Sequence, residues 1–181
     1  GSSTGLAATA AWTLPGTQAN ARKGISVGTA GDVNGDGYSD VAIGSPGMLG
    51  WGCVLVYAGS SAGLGGFAWA VLMGNSQTGS EFGWSVALAC DVDGDGLSDL
   101  VVGAPKYNNG SAAQGRAYCY HGSAVSMGPG ANWTFTGIPV NGQLGYCVAG
   151  AGDLNGDGYS DVAIGAPFQP KVPTTNNGAV H

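Results

Sequence analysis

A nine-residue pattern rich in oxygen-bearing side chains occurs three times in this 181-residue sequence, at residues 32–40, 91–99 and 153–161. Each copy has Asp or Asn at positions 1, 3 and 5, Asp at position 9, and glycine at position 6, where the chain must turn sharply. Calcium takes six to eight oxygen ligands, which alternate residues of a tight loop can direct at one centre. We therefore predict about three Ca²⁺ sites, one per loop, each completed by the carbonyl oxygen at position 7. The predicted ligands are Asp32, Asn34, Asp36, Tyr38, Asp40, Asp91, Asp93, Asp95, Leu97, Asp99, Asp153, Asn155, Asp157, Tyr159 and Asp161.

The distribution of acidic residues supports this prediction. Ten of the eleven Asp and Glu residues lie in the three loops, and Glu81 alone lies elsewhere. Without a cation, the carboxylates of each loop would repel one another at close range. The formal net charge is −6, and three Ca²⁺ would bring it to zero. The alternative is a set of metal-free turns, because Asp, Asn and Gly are common in turns.

An EF-hand loop begins with the same spacing but ends differently. It requires a bidentate Glu at position 12 and a helix after the loop. Here position 12 is Ile43, Val102 or Ile164, each within a short apolar run that is soon followed by proline. Such runs are typical of buried strands. We therefore exclude EF-hand loops and, for the same reason, dockerin-type loops.

The loops belong to a longer repeat, because they begin 59 and then 62 residues apart. A glycine stands eight residues before each loop, at Gly24, Gly83 and Gly145. The alternating segment between this glycine and the loop predicts a first strand. The apolar run after the loop predicts a second strand.

Two further strands complete the repeat. Residues 52–57 and 115–120 predict a third strand, and the segments around Trp12, Trp69 and Trp133 predict a fourth. Thirty-six glycines and 9% charged residues argue against a helical protein. Four strands in a period of roughly 60 residues indicate an all-β fold of β-propeller blades, each a sheet of four antiparallel strands.

The residues that flank the loops resemble a known family. Phe82-Gly83 precedes the second loop and Gly103-Ala104-Pro105 follows it, as in the FG-GAP repeat of integrin alpha-subunit β-propellers and of many secreted bacterial proteins. The third copy has Leu144-Gly145 and residues 165–167, and the first has Lys23-Gly24 and residues 44–46. The resemblance implies about three FG-GAP-type repeats, each holding calcium in the hairpin loop between strands 1 and 2. Lysine in place of phenylalanine leaves the packing of the first copy open.

The ends of the sequence divide the repeats unevenly. Residues 1–6 match residues 59–64, so residues 1–22 are predicted to hold strand 4 of a preceding or neighbouring blade, plus a connection. Blade 1 is then 23–81, blade 2 is 82–143, and 144–181 is an incomplete blade 3 with strands 1–3. This is a partial propeller. It is either part of a longer one, with about seven blades by resemblance, or a subunit whose strand 4 completes a neighbouring copy.

The loops between strands 2 and 3 are the most variable, and such loops on a rigid scaffold commonly bind partners. They contain Trp51, Tyr107 and Phe168, which we predict to contact a protein or glycan ligand. The alternative is that these aromatic residues cap the blade core. Asn109-Gly110-Ser111 matches the N-glycosylation sequon. Residues 132–134 match it as well, but they lie in a predicted strand.

Several function classes are disfavoured. The acidic composition offers no basic patch that would attract nucleic acid. The sequence contains no run of about 18 apolar residues, so membrane insertion is not predicted. Gly59-Ser60-Ser61-Ala62-Gly63 matches the nucleophile-elbow pattern, but it connects two strands and lacks partner residues, so we predict no enzyme. The leading hypothesis is a secreted or cell-surface adhesion or structural module. The alternatives are a lectin-like propeller and a non-catalytic propeller of a larger secreted enzyme.

The cysteines Cys53, Cys90, Cys119 and Cys147 have no C-x-x-C spacing, so a zinc or redox site is not predicted. Three disulfide pairings or free buried thiols are compatible with the sequence. No cysteine position repeats between blades, so we expect calcium rather than disulfide bonds to dominate stability.

Overall fold

The computed structural model describes residues 6–74, 76–110, 112–138, 140–171, 175–176 and 178–181. The first two sheets have four antiparallel strands each. The first contains β1 (Ser26–Gly31), β2 (Asp40–Ser45), β3 (Cys53–Tyr57) and β4 (Ala70–Met73). The second contains β5 (Ser85–Cys90), β6 (Asp99–Ala104), β7 (Arg116–Tyr120) and β8 (Trp133–Thr136).

The third sheet has three strands, β9 (Cys147–Gly152), β10 (Asp161–Ala166) and β13 (Ala179–Val180), with β10 in the middle. Between β10 and β13, β11 (Pro170–Lys171) and β12 (Thr175–Asn176) form a separate hairpin, which the sequence analysis did not predict. The helical structure found in the described residues is one short 3-10 turn, Met48–Gly50. These sheets confirm the prediction of an all-β fold of partial propeller blades. No helix within the described residues is long and apolar enough to cross a membrane.

Neighbouring blades pack through their first strands, because β1 lies against β5 and β5 lies against β9. One apolar cluster fills the space between blades 1 and 2 and includes Leu72, Phe82 and Tyr118. A second cluster lies between blades 2 and 3 and includes Leu144 and Ile164. Each cluster contains residues from two neighbouring sheets, so the sheets pack face to face as the blades of a propeller do.

The joint between blades 1 and 2 is made by the residues that carry the family resemblance. Phe82 is fully buried, and its amide N–H donates to the carbonyl oxygen of Trp51 in the preceding blade. The carbonyl oxygen of Gly83 accepts a hydrogen bond of 2.9 Å from Ser26 Oγ. A methyl group on Gly44 would clash with that same carbonyl. Glycine at position 44 therefore permits close approach of two backbones, which no larger residue would allow.

The next joint repeats this arrangement with leucine in place of phenylalanine. Leu144 is 1% exposed and bridges to Gly115 of blade 2, as Phe82 bridges to Gly52. At the first copy, the Lys23 side chain is half-buried and its Nζ donates to the carbonyl oxygen of Pro15 at 3.3 Å. Lysine therefore does not occupy an interblade core here.

The segment before β1 is the one that the sequence analysis predicts to hold strand 4 of a preceding or neighbouring blade. Residues 6–25 contain no strand, and residues 1–5 lie outside the described residues. Trp12 instead donates from Nε1 to the Gly65 carbonyl at 3.1 Å, and its ring packs edge-on against Tyr57. A strand requires a hydrogen-bonded partner strand, and this segment pairs with none in the described chain. The division of the sequence into blades stays a prediction.

The tryptophans of strand 4 are not structurally equivalent. Trp69 lies just before β4, whereas Trp133 begins β8. In the register, Ala70 pairs with Val56 and Trp133 pairs with Cys119. Val56 and Cys119 are the same position of strand 3, so the two tryptophans are offset by one residue. Because successive side chains of a strand point to opposite faces, they face opposite sides of their sheets.

The described cysteines differ in their environments. Cys53 is a buried free thiol and Cys147 is an exposed one. Burial raises the pKa of the Cys53 thiol. Cys119 is buried in β7, and the side chain of Cys90 lies outside the described part of the structure.

Candidate metal centres

The three acidic loops are the hairpin connections between strands 1 and 2 of each blade, and they lie on one rim of the structure. Each hairpin contains a register shift where the loop joins the strands, such as that between Thr29 and Gly31. A β-bulge of this kind redirects the chain at the edge of a sheet. Each bulge therefore helps to present its loop as a compact turn.

In the first loop, the carboxylate of Asp32 organises the backbone. Its oxygens accept hydrogen bonds from the amides of Gly35, Asp36 and Gly37 at 2.7, 3.2 and 2.8 Å. Asn34 Nδ2 donates to Asp36 Oδ2 at 3.1 Å. Glycine is required at position 6 because Gly37 has a φ of 87°, which disfavours other residues.

The third loop has the same local structure. Asp153 accepts from the amides of Gly156, Asp157 and Gly158 at 2.7, 3.1 and 2.9 Å. Asn155 Nδ2 donates to Asp157 Oδ2 at 2.9 Å. These contacts are those expected of Asx turns, and they fix the side chains of Asp153, Asn155 and Asp157 relative to the loop backbone.

The second loop is distinct because aspartate replaces asparagine at position 3. Asp91, Asp93 and Asp95 each place a carboxylate oxygen within 4.8 Å of the others. In addition, Asp93 Oδ2 lies 2.7 Å from Nδ1 of His121, which follows β7. The corresponding position in blade 1 is Ala58, so this imidazole contact is particular to blade 2. The sequence analysis did not connect His121 with the loop, because only the return of β7 to the same rim brings them together.

The aspartate at position 9 has a different environment from the other loop acids. Asp40 is fully buried; its Oδ2 accepts from the Val33 amide and its Oδ1 from the Gly59 amide, both at 2.8 Å. Asp99 makes the same pair of contacts, to the amides of Val92 and Gly122, at 2.7 and 2.8 Å. In blades 1 and 2, position 9 thus ties the acidic loop to the turn after strand 3. Its role as a ligand stays a prediction.

The ionisation of the loop acids follows these contacts. Burial raises the pKa of Asp40 and of Asp99, although backbone amides partly oppose this effect. Desolvation also acts to raise the pKa of Asp32, but the hydrogen bonds from Gly37 and its neighbours outweigh it and leave that pKa lowered. Amide hydrogen bonds, that of Gly158 first, lower the pKa of Asp153. The carboxylates of Asp32 and Asp153 are therefore held in the charged form that a cation requires.

The donor set of these loops suits a calcium ion. Carboxylate and carbonyl oxygens are the ligands of this hard cation, at about 2.3–2.6 Å. Three oxygens within 4.8 Å of one another, as in Asp91, Asp93 and Asp95, can all reach one ion at such distances. The bound ion would supply positive charge that relieves repulsion among the carboxylates. The residues present thus fit the group that the resemblance implies.

The opposite rim carries the loops between strands 2 and 3 and those that lead into strand 1. Phe168 is 41% exposed there and Trp51 is half-buried, but Tyr107 is 8% exposed and lies in the core beneath Arg116. Tyr107 is therefore part of the apolar core, and its contact with a ligand stays a prediction. Asn109 is exposed, and Ser111 of its sequon lies outside the described residues.

Comparisons with known proteins agree with this geometry. The model of the FG-GAP repeat matches residues 24–63, 82–120 and 148–181, and the chain belongs to this family of β-propeller repeats. It is 38% identical to integrin alpha-PS2 of Drosophila melanogaster over 151 residues, which are 76% of this chain and 10% of that protein. It is 35% identical to integrin alpha-5 of Xenopus laevis over 153 residues, 80% of this chain and 14% of that protein. With integrin alpha-IIb of Mus musculus it shares 44% identity over 93 residues, 50% of this chain and 9% of that protein. The chain thus spans a small fraction of the length of these relatives.

Proposed function

We propose that this chain is a calcium-stabilised, non-catalytic β-propeller module that acts in adhesion outside the cell. The observation that carries the proposal is the set of three acidic loops on one rim of an FG-GAP scaffold. Integrin alpha subunits, to which the chain is similar, support the adhesion role and the extracellular location. Extracellular calcium modules bind with Kd values on the order of 10⁻⁴ to 10⁻³ M, so such loops would be filled outside the cell.

Calcium would act here as a cross-link within each hairpin rather than as a reagent. Asp91, Asp93 and Asp95 would hold the ion in the second loop. The carbonyl oxygen of Leu97 and the carboxylate of Asp99 are the other predicted ligands. Calcium at 1 to 10 times its Kd, as in a millimolar solution, would stabilise the folded protein by about 0.4–1.4 kcal/mol for each independent site. We expect about three sites per chain, counted by equilibrium dialysis of ⁴⁵Ca²⁺.

A thermal melt tests the proposal directly. The 181-residue chain is heated in millimolar CaCl₂ and in EDTA, and the midpoint is expected to be clearly higher with calcium. Asp93→Ala should reduce the stoichiometry from about three ions to about two. Leu154→Ala, at a 75% exposed position of the third loop, is the matched control and should keep all sites. An unchanged midpoint in EDTA would refute calcium stabilisation.

The rim opposite the acidic loops is the proposed ligand surface, with a protein or a glycan as the ligand. Exposed Phe168 and half-buried Trp51 are the predicted aromatic residues still available there. A lectin-like propeller differs from a protein-binding one in its response to a glycan array. A non-catalytic propeller within a larger secreted enzyme differs from both in the domains found in the native polypeptide.

A second proposal concerns blade 3, which would pack against a further FG-GAP blade. Gly165 is equivalent to Gly44 and Gly103, each of which lies against a backbone carbonyl of the next blade. In the described part of the structure, no such carbonyl lies near Gly165: a Cβ atom built on it would be 3.6 Å from its nearest neighbour, which belongs to Cys147 of the same blade. A cavity of about 520 Å³ opens beside it, between Tyr146 and Val180. The blade that fills it would come from the same polypeptide or, head-to-tail, from a second copy.

Light scattering distinguishes these sources. If a second copy supplies the blade, the 181-residue chain should form dimers or larger assemblies in CaCl₂. Gly165→Val should block this packing, whereas Gly130→Val lies in open space and should not. A monomeric mass with a cooperative melt would exclude self-assembly and leave the longer polypeptide as the source.

A further inference from the structure

The charged residues are segregated between the two rims. The ten loop acids occupy the rim formed by the connections between strands 1 and 2. All five cations, Arg22, Lys23, Lys106, Arg116 and Lys171, lie in segments that reach the opposite rim. They either precede strand 1, follow strand 2 or begin strand 3. The one acid on that rim is Glu81. With Lys171 left out, because its side chain lies outside the described part of the structure, the formal charge of the rim is 4 − 1 = +3, in a chain whose net charge is −6.

Two of these cations are gathered around Glu81. Arg22 Nη2 lies 2.6 Å and Lys106 Nζ 3.2 Å from the same carboxylate oxygen, Oε1. The Glu81 side chain is only 10% exposed, whereas those of Arg22 and Lys106 are 42% and 54% exposed. One carboxylate therefore leaves one positive charge uncompensated, on side chains that solvent can reach.

A row of aromatic rings continues from this pair of cations. The guanidinium carbon of Arg22 lies 5.4 Å from the centre of the Trp84 ring. The Trp84 and Tyr146 ring centroids are 5.5 Å apart, and those of Tyr146 and Phe168 are 6.2 Å apart. Tyr146 and Phe168 are 40% and 41% exposed. Tyr146 also borders the cavity in which a further blade would pack, but Trp84, its equivalent in blade 2, stays partly exposed although blade 3 packs against it. We call the surface formed by Arg22, Lys106, Trp84, Tyr146 and Phe168 the cationic strip.

We propose that the cationic strip binds an anionic polysaccharide. This inference rests on the proposed function, because it names the chemical class of ligand for the proposed ligand surface. Guanidinium and ammonium groups pair with carboxylate and sulfate groups, and a positive rim attracts polyanions from a distance. The aromatic rings supply flat apolar area on which the C–H faces of sugar rings can pack.

The row of rings favours a polysaccharide over an acidic peptide. The rings lie 5.5 and 6.2 Å apart and are tilted by 52° and 85° to one another, so each can offer its own apolar surface to the C–H groups of a sugar. An acidic peptide would use the cations but would have no repeated apolar face for the rings. Substitution of a ring should therefore weaken the binding of a polysaccharide but not that of an acidic peptide, whereas substitution of a cation should weaken both.

Calorimetric titration of the 181-residue chain in CaCl₂ with a heparin octasaccharide tests the proposal. Maltooctaose is the neutral probe and poly-L-glutamate is the acidic peptide. We expect heparin to bind, with affinity that falls as NaCl rises because exposed charges are screened. Maltooctaose should not bind measurably, and poly-L-glutamate should bind more weakly than heparin.

Arg22 and Glu81 form an ion pair, and substitutions of the two residues should change the Kd for heparin in opposite directions. Arg22→Gln should raise the Kd for heparin about five- to tenfold, since it removes a charge from the strip and leaves Glu81 less compensated. Glu81→Gln should lower the Kd by about threefold or more, because it frees both cations. Lys23→Gln is the charge-matched control, since Lys23 contacts the Pro15 carbonyl rather than the strip, and its effect should be smaller than that of Arg22→Gln.

Variants of the rings test the class of ligand. Tyr146→Ser should raise the Kd for heparin at least about threefold and leave poly-L-glutamate binding unchanged. Phe67→Ser is the control, because Phe67 is 91% exposed and lies between β3 and β4 on the acidic rim. Tyr146 is partly exposed, so the melting midpoint of each variant in CaCl₂ verifies its fold.

The outcomes separate this inference from the proposed function. If calcium shifts the melting midpoint but heparin does not bind, the proposed role of the cationic strip is wrong and the proposed calcium-stabilised module still stands. Loss of the calcium shift refutes the module, whether or not heparin binds. Equal binding of poly-L-glutamate, with no effect of Tyr146→Ser, would assign the strip to acidic peptides instead. A tighter complex for Glu81→Gln together with a weaker one for Tyr146→Ser supports the proposal.

Discussion

Phe82→Ala should break the joint between blades 1 and 2. The ring is fully buried and packs edge-on against Tyr118 and Tyr120, with ring centroids 5.1 and 6.3 Å away. Truncation of a buried phenylalanine costs about 3–5 kcal/mol, since the cavity collapses only partially. Because a change of 1 kcal/mol moves the midpoint of a chain this long by about 2–4 °C, a loss of about 4 kcal/mol corresponds to roughly 8–16 °C.

Urea titration followed by tryptophan fluorescence measures this loss in CaCl₂. Phe67→Ala is the matched control, because Phe67 is 91% exposed and should change stability by no more than about 0.5 kcal/mol. The slope of the unfolding curve should stay close to that of the parent chain if both proteins unfold as one unit. A loss below about 1 kcal/mol for Phe82→Ala would refute the idea that this residue holds the blades together.

Four further outcomes follow from the structure. Gly103→Ala should destabilise the chain, because its methyl group would clash with the Gly145 carbonyl, whereas Gly130→Ala meets nothing within 4 Å and should be neutral in the same melts. Iodoacetamide should modify exposed Cys147 quickly and buried Cys53, whose thiol has a raised pKa, only on unfolding, as mass spectrometry can follow. Burial raises the pKa of Tyr118 to about 12, above an unfolded value of about 10. The stability that this neutral phenol contributes should be complete below pH ~10 and be lost as the pH rises towards ~12, and Tyr118→Phe should reduce that loss in alkaline urea titrations. EDTA should lower the melting midpoint more than a reductant does, and the reverse order would contradict the dominance of calcium.

Much of the fold could be predicted from the sequence because each blade is a local unit whose strands are bounded by recognisable glycine-rich turns. The hairpin loops around Gly37 and Gly96 require glycine for conformational reasons, and the apolar runs after them can only be buried strands. The period of the repeat then defines the blade. The segment around Trp12 could not be assigned in this way. Its pattern resembles a strand, but strand formation depends on a partner edge that lies elsewhere in space.

The candidate site was predictable to the same extent. Asp32 and Asp91 are recognisable because the spacing of oxygens along one loop is a local property. The burial of Asp40 was not predictable, because its second partner, Gly59, lies beyond the next strand. The contact between His121 and Asp93 has the same origin. Contacts that depend on how strands return to one rim appear only when the blade is folded.

Calcium and the cationic strip act at separate ends of the same strands. With three ions bound, the acidic rim would carry −10 + 6 = −4, against 4 − 1 = +3 on the other rim from Arg22, Lys23, Lys106, Arg116 and Glu81. Strands such as β6 have six residues and are therefore about 20 Å long. Charges at this separation are largely screened at physiological ionic strength, where the Debye length is about 8 Å. Loss of calcium would therefore change the strip through the stability of the blades rather than through its electrostatic potential. This separation would allow the two rims to have different chemistry: bound metal would relieve the repulsion on one, and the positive charge of the other would stay available to a ligand.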